Sequence, residues 1–353
     1  MSSAADRPDR CSGRADAHVF VVHSHIAHWV ARAVMAHERL DPGRVTVLAG
    51  RGMDAAAAEL RPIPLAIEAV RESPGTLREV WRARRWLGAL DRRLAAATRR
   101  RSFHLYLPQT VERALQALRS HPRCAGFSFL EEGLFSYCTS VEMDQIVPPP
   151  RIRRGDRLAF GGRVGAAHFF EPGHARAYGI HPAVFPGLAG RVVLSDAVPP
   201  PAAATHPRIR NVIAFDALSA TRQVQVESVC SALERLLDRL AAEGETHLHY
   251  KLHPAQAGHR EVAALESALQ RRSPTLAAER LPDALSLEGL AWARRDVRFF
   301  VNLSSVGFYA ALAGCPAFSW ASWVVDAEPG FARVVARVPR VFSEHVRFLD
   351  AAA

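Results

Sequence analysis

The strongest constraint in this chain is an alternation. Short apolar, β-branched runs are followed repeatedly by longer segments whose apolar residues recur at helical spacing, and a chain so patterned folds as strand–helix–strand units around a parallel sheet. His18 to Val22 (HVFVV) leads into HSHIAHWVARAVMAHERL, where Ile26, Val30, Val34 and Met35 share a helical face, and Val45 to Leu48 supplies the next strand. Phe103 to Leu107 (FHLYL) and Gly126 to Leu130 (GFSFL) continue the series, with a helix over Val111 to Leu118. The pattern resumes at Asn211 to Phe215 (strand), Val224 to Leu240 (helix), His247 to Leu252 (strand), Val262 to Leu269 (helix), Val297 to Leu303 (strand) and Ser305 to Ala313 (helix). The fold class is therefore α/β, in two halves.

Prolines cluster between the halves, from about residue 146 to 207 (VPPP, HPAVFP, VPPP, THP), with one further strand at Arg191 to Leu194. Such composition marks a connection between domains in the latter part of that stretch. With 353 residues, 49% of them hydrophobic, the chain is long enough to build two cores. The division reads as a polar leader over 1–16, expected to be disordered and not a signal peptide, a first domain over 17–195, a second over 208–325, and a tail over 326–353 expected to return to the first domain. No run approaches the roughly 18 to 20 apolar residues of a spanning helix. Five cysteines, odd in number and without a CxxC pair, argue against a disulfide framework or structural zinc and for a reducing, cytoplasmic setting.

Ligands of open α/β sheets bind beyond the carboxyl ends of strands, and three strand ends carry chemistry. In FSFLEEGLFSY, Glu131 and Glu132 stand before Gly133; adjacent carboxylates can raise one another's pKa into the range of a general base, although a solvated turn has the same composition. In YKLHPAQ, strand alternation puts His247, His249 and Lys251 on one face and Leu248, Tyr250 and Leu252 on the other. His253 is then held extended at the edge by Pro254, where an imidazole can protonate or hydrogen-bond a phosphate. In VNLSSVGFYAALAG, Ser304 and Ser305 open a helix, as a plain N-cap or as part of an anion site. Neither GxxxxGK[ST] nor GxGxxG appears.

In this order, Glu-Glu-Gly at 131–133, His-Pro at 253–254 and Ser-Ser at 304–305 resemble the motifs of bacterial sialyltransferases and polysialyltransferases. The contexts YKLHP, LPDALSLEGL and VNLSSVGFYAALAG extend the resemblance over about Phe20 to Trp320. It implies a GT-B fold, two Rossmann-like domains facing across a cleft, and inverting transfer of sialic acid or a related nonulosonic acid from a CMP-sugar to a capsule or lipopolysaccharide acceptor. It also implies roles: Glu131 or Glu132 as base, with both left open, His253 at the leaving phosphate, Ser304 and Ser305 on its oxygens, Glu288 on the ribose hydroxyls, and Pro254 shaping the nucleotide wall. The implied partners are the nucleotide-sugar donor and a glycan or glycolipid acceptor, with no cofactor and no nucleic acid.

No metal is expected. The chain lacks Asp-x-Asp, and a monophosphate leaving group can be met by imidazole, hydroxyls and a helix terminus. A non-catalytic CMP-sugar-binding relative fits the same motifs. A zinc hydrolase is a further alternative, because His23 and His25, two apart at a strand end, can face one metal. Excess positive charge, 45 Lys+Arg against 35 Asp+Glu, suits an anionic partner without choosing one. It peaks over Arg71 to Arg101, with ten Arg against three acids and with Leu77, Val80, Leu87, Leu90, Leu94 and Ala97 near one helical face. That segment is expected to be a domain helix with a solvated arginine face, or to lie on the anionic inner membrane.

Overall fold

The computed structural model describes residues 15–50, 53, 57–197, 208–256, 258–271 and 276–350; most of the polar leader lies outside them. The chain divides into two compact units, Met1–Ala197 and Val198–Ala353.

The first unit is built on a seven-stranded sheet of β1 (Ala17–Val22), β2 (Val45–Ala49), β3 (Ile63–Pro64), β4 (Phe103–Leu107), β5 (Cys124–Leu130), β6 (Ala177–Gly179) and β7 (Arg191–Val193). Their order is β3-β2-β1-β4-β5-β6-β7, and every pairing is parallel. The direction of winding reverses between β1 and β4, which makes that gap the switch point of the sheet. Helices α1 (His25–His37), α2 (Leu77–Ala97), α3 (Arg113–Arg119), α4 (Ser140–Ile146) and α5 (Arg154–Phe160) complete the unit. Their starts are set locally. The Ser24 hydroxyl accepts from the Ala27 amide at the head of α1, and Thr76 with Glu79 closes a capping box on α2.

The second unit repeats the scheme with β8 (Asn211–Ala214), β9 (His247–Lys251), β10 (Ala277–Arg280), β11 (Arg298–Val301), β12 (Ala317–Ser319) and β13 (Arg347–Phe348). The order is β10-β9-β8-β11-β12-β13, again parallel throughout, with its switch point between β8 and β11. Helices α6 (Val226–Ala242), α7 (Glu261–Arg271), α8 (Leu287–Ala293), α9 (Ser305–Leu312), α10 (Ala321–Ala327), α11 (Ala332–Val335) and α12 (Arg340–His345) surround it. The expected alternation of β9 holds. Leu248, Tyr250 and Leu252 enter the core with Leu233, Leu236 and Leu265, while Lys251 leaves the other face and donates to the carbonyl of Leu285.

The tail, expected to return to the first domain, builds into the second unit: β13 adds an edge strand beside β12, and Phe342 and Leu349 are buried there. The sequence reads poorly there because two residues of strand carry no periodicity. On α2 the buried residues are Val80, Ala83, Leu90 and Leu94, whereas Leu77 and Ala97 face outward.

Candidate functional site

In the first unit the two adjacent acids part company, because successive residues of an extended chain point to opposite faces. Glu131 follows the Phe127–Phe129 side of β5 and is completely buried. Its Oε1 accepts from the Tyr137 hydroxyl at 2.5 Å and its Oε2 from the Ile180 amide at 2.8 Å. Gly179 makes this possible: a Cβ there would come within 2.7 Å of the Glu131 Oε2. Gly133, at φ 151 and ψ −159, then turns the chain in a region that side chains rarely enter.

Glu132 leaves toward α1. Its Oε2 is hydrogen-bonded to the Nε2 of His23, the residue that follows β1, and its side chain is 12% exposed. The Glu132 backbone is fixed as well. Its amide donates to the Ser136 hydroxyl at 3.1 Å, and its carbonyl accepts from the Ser24 hydroxyl at 3.2 Å. His23 is buried, and its Nδ1 has no partner among the described residues. Because a carboxylate oxygen only accepts, the ring must donate from Nε2 to Glu132. The pair joins the ends of β1 and β5 above β4, at the switch point.

The other early histidines do not converge. His28 is buried against Glu59 at 2.9 Å, with Arg32 on the same oxygen at 2.7 Å. Burial holds the His28 pKa below its ordinary value, against the pull of Glu59. Among the described residues no three His, Cys, Asp or Glu side chains gather as a metal site.

In the second unit the carboxyl ends of β9, β8 and β11 form a row. Lys251 is in register with Ala214, and Ala214 with Val301, so His253, Asp216 and Leu303 lie side by side just past the strands. His253 opens a tight turn through Pro254. Its amide donates to the Gln256 side chain at 2.9 Å, and its carbonyl accepts from the Gln256 amide at 2.8 Å. Pro254 is exposed. Ser304 N-caps α9, accepting from the Val306 amide at 3.3 Å; a hydroxyl that accepts there still has its own proton to donate. Ser305 is the first residue of the helix. Gly307 lets α9 settle on β11, since a Cβ would stand 2.7 Å from Val301 Cγ2. Glu288, buried in the first turn of α8, accepts from the Ser286 hydroxyl at 3.0 Å.

Three groups beside these were not singled out in the sequence. Asp216 accepts from the amides of Leu218 and Leu303, both at 3.1 Å. Burial pushes its pKa up, against the effect of those amides. The Asn302 amide, 2% exposed, lies beside Asp216 without a hydrogen bond of good geometry. Lys251 is buried near Glu288, and burial lowers its pKa while Glu288 and Asp283 oppose the shift. The available signal was positional: each lies at the carboxyl end of a strand or one residue pair from His253.

No family model matches the chain, and no curated protein matches its sequence. Solved structures do match its fold. A putative UDP-N-acetylglucosamine 2-epimerase from Listeria monocytogenes is similar at 13% identity over 95% of this chain and 92% of that one, with a TM-score of 0.52. The MnaA–UDP co-structure from S. aureus is similar at 10% identity over 94% and 92%, with the same TM-score. The likeness is one of fold: two parallel-sheet units of the GT-B class.

Proposed function

We propose that the protein is an inverting, metal-independent glycosyltransferase that moves sialic acid or a related nonulosonic acid from a CMP-sugar to a bacterial surface glycan. The observation that carries this reading is the Glu132–His23 pair, a partly accessible carboxylate fixed by a buried imidazole at the switch point of a sheet. Transfer to a hydroxyl needs such a base, because the acceptor oxygen must shed its proton as it attacks the anomeric carbon. Glu131 is poorly suited to that task, with both oxygens already accepting hydrogen bonds inside the core. The assignment therefore goes to Glu132, with His23 as the positioning residue.

The leaving group sets the demand on the second unit. As the bond from the anomeric carbon to the CMP oxygen breaks, negative charge grows on a monophosphate and positive charge on an oxocarbenium-like sugar. His253 would protonate or hydrogen-bond the phosphate, and the hydroxyls of Ser304 and Ser305 with the amides at the head of α9 would hold its oxygens. Glu288 would take the ribose hydroxyls, and Pro254 would line the nucleotide. Burial disfavours the charge on Asp216 beside this place, against the two amides that hold its oxygens.

The fold is shared with a protein solved with UDP, so a UDP-sugar enzyme, such as an epimerase, is the second reading. A thermal-shift comparison of CMP, CDP, UDP and GDP separates the two. Stabilisation by CMP alone is expected, and stabilisation by UDP alone would overturn the transferase proposal in favour of the second reading. CMP release from CMP-sialic acid in the presence of EDTA, lost in Glu132→Gln, then distinguishes a transferase from a binding relative.

A further inference from the structure

We propose that the face formed by α2 and α5 docks on an anionic lipid bilayer. This inference does not rest on the transferase reading. Six large hydrophobic side chains are exposed among the described residues, and three of them, Leu77, Trp81 and Leu158, belong to this one face at 77%, 65% and 52% exposure. Leu77 and Trp81 are one helical turn apart and so share a side of α2. Leu158 comes from α5, which is pressed against the same helix. The Arg84 Nε donates to the Leu158 carbonyl at 2.8 Å, and Gly155 abuts Pro74 so closely that a Cβ would fall 1.9 Å from the Pro74 oxygen.

Cations surround these anchors. Arg78, Arg82, Arg85, Arg154 and Arg157 are exposed, and none forms an ion pair among the described residues. The nearby acids are already engaged. The Glu79 carboxylate accepts from the amides of Gly75 and Thr76 at 2.7 and 2.9 Å. Asp156 is buried with Arg113 at 2.7 Å and Ser73 at 2.6 Å. What remains is a positive surface with an aromatic and two aliphatic side chains standing out of it. A soluble polyanion would be met by the arginines but gives leucines nothing to enter. An anionic bilayer takes both, with headgroups for the guanidinium groups and the acyl boundary for Leu77, Trp81 and Leu158.

The test is sedimentation of the full chain with vesicles of phosphatidylcholine, alone or mixed with phosphatidylglycerol, at low and at high salt. Binding is expected to the mixed vesicles at low salt and to fall as salt rises. Each of Arg78→Gln, Arg82→Gln, Arg85→Gln and Arg157→Gln should weaken it about fivefold. Trp81→Ser and Leu158→Ser should each weaken it about tenfold with an unchanged melting temperature, because both side chains are already in solvent. The tryptophan emission should shift to the blue on binding in the native chain, and less so in Trp81→Phe. Two outcomes overturn the proposal. One is no sedimentation with mixed vesicles at low salt. The other is binding indifferent to the two apolar changes and abolished by soluble heparin, which would make the face a polyanion site.

Discussion

The two units are the same scaffold carrying different chemistry. Both sheets wind outward from their first strand and reverse between the first and the fourth, β1 and β4 in one, β8 and β11 in the other. At the first switch point the residues just past the strands are an imidazole and a carboxylate bonded to each other. At the second they are an imidazole, a carboxyl capped by two amides, a buried carboxamide and the hydroxyl-bearing head of a helix. In the proposed function the first set moves a proton and the second receives an anion. The scaffold is indifferent to the distinction; two or three residues after each strand decide it.

The largest effect expected from breaking this comparison lies within the first set. Glu132→Gln keeps shape and removes basicity, so CMP release should fall about 10²- to 10⁴-fold while CMP binding and melting temperature stay put. Glu131→Gln should do the reverse. The Ile180 amide can only donate, so the new amide must present its N–H to the Tyr137 hydroxyl, whose own buried proton then loses its acceptor; this costs about 1 to 3 kcal/mol of stability. Calorimetry and steady-state kinetics on the pair check this. If Glu131→Gln were the variant that stays folded and loses turnover, the division of roles would be reversed.

The second set offers a smaller and different effect. His253→Asn removes the proton but keeps a hydrogen-bonding group, so kcat should fall about tenfold to a hundredfold, and most for donors with poor leaving groups. Ser304→Ala should weaken CMP and cost about 1 kcal/mol of stability together, since the same hydroxyl caps α9. Isothermal titration with CMP separates these from the Glu132 variant, which should bind normally.

A third contrast is purely steric. Gly307→Ala in the second unit pushes a methyl against Val301, and Gly179→Ala in the first pushes one against Val184 and Glu131. Overpacking of this kind costs about 1 to 3 kcal/mol. Gly307→Ala should also displace the head of α9 and with it CMP affinity, whereas Gly179→Ala should lower the melting temperature and leave CMP binding intact.

Much of the architecture was legible because the long strands carry their own signal. β1, β4, β5, β9 and β11 are apolar or alternating runs rich in valine, leucine or aromatic residues, and their sequence bounds differ from the observed ones by no more than two residues. Short strands such as β3, β6, β12 and β13 were not legible, since two or three residues carry no period and exist because a neighbour offers hydrogen bonds. The candidate site divides the same way. Glu132, His253 and Ser304 announce themselves by standing at strand ends. That His23 would turn to Glu132 and not to a second histidine was invisible, because their meeting is set by β4 lying between β1 and β5, across 109 residues of chain. Leu77 failed for the opposite reason: its spacing fits the buried face of α2, but it sits in the first turn, beyond the reach of the core.

The smallest effect concerns the amino ends of the two sheets, which differ as much as their carboxyl ends. In the first unit His104 sits half-buried on β4, hydrogen-bonded to Ser128 at 2.8 Å, with His18, Tyr106, Tyr178, Glu38 and Arg176 around it. Burial, helped by His18, lowers its pKa to about 4. In the second unit the corresponding place holds Arg298, which donates to Asn211, Glu243 and Glu245 at 2.8 Å each. Burial would raise the Glu243 pKa, but Arg298 and Arg239 hold it below the carboxylate norm. Both groups are depressed, so both contribute stability that is present above their unfolded pKa and lost on acidification. The windows differ. For His104 the loss begins near pH 6.5 and is complete near 4, whereas for Glu243 it begins only below the ordinary carboxylate value. Between pH 7 and 5 His104 should therefore contribute a loss of about 1 kcal/mol in the first unit, after allowance for solvent reaching the ring, to which the depressed His18, His28 and His121 add in the same direction. Hydrogen exchange followed over that range should show protection falling first in β1 and β4, and His104→Gln, which can still bond Ser128, should flatten the decline. Parallel loss of protection in β8 and β11 would mean that the acid sensitivity belongs to the whole chain and not to the histidine.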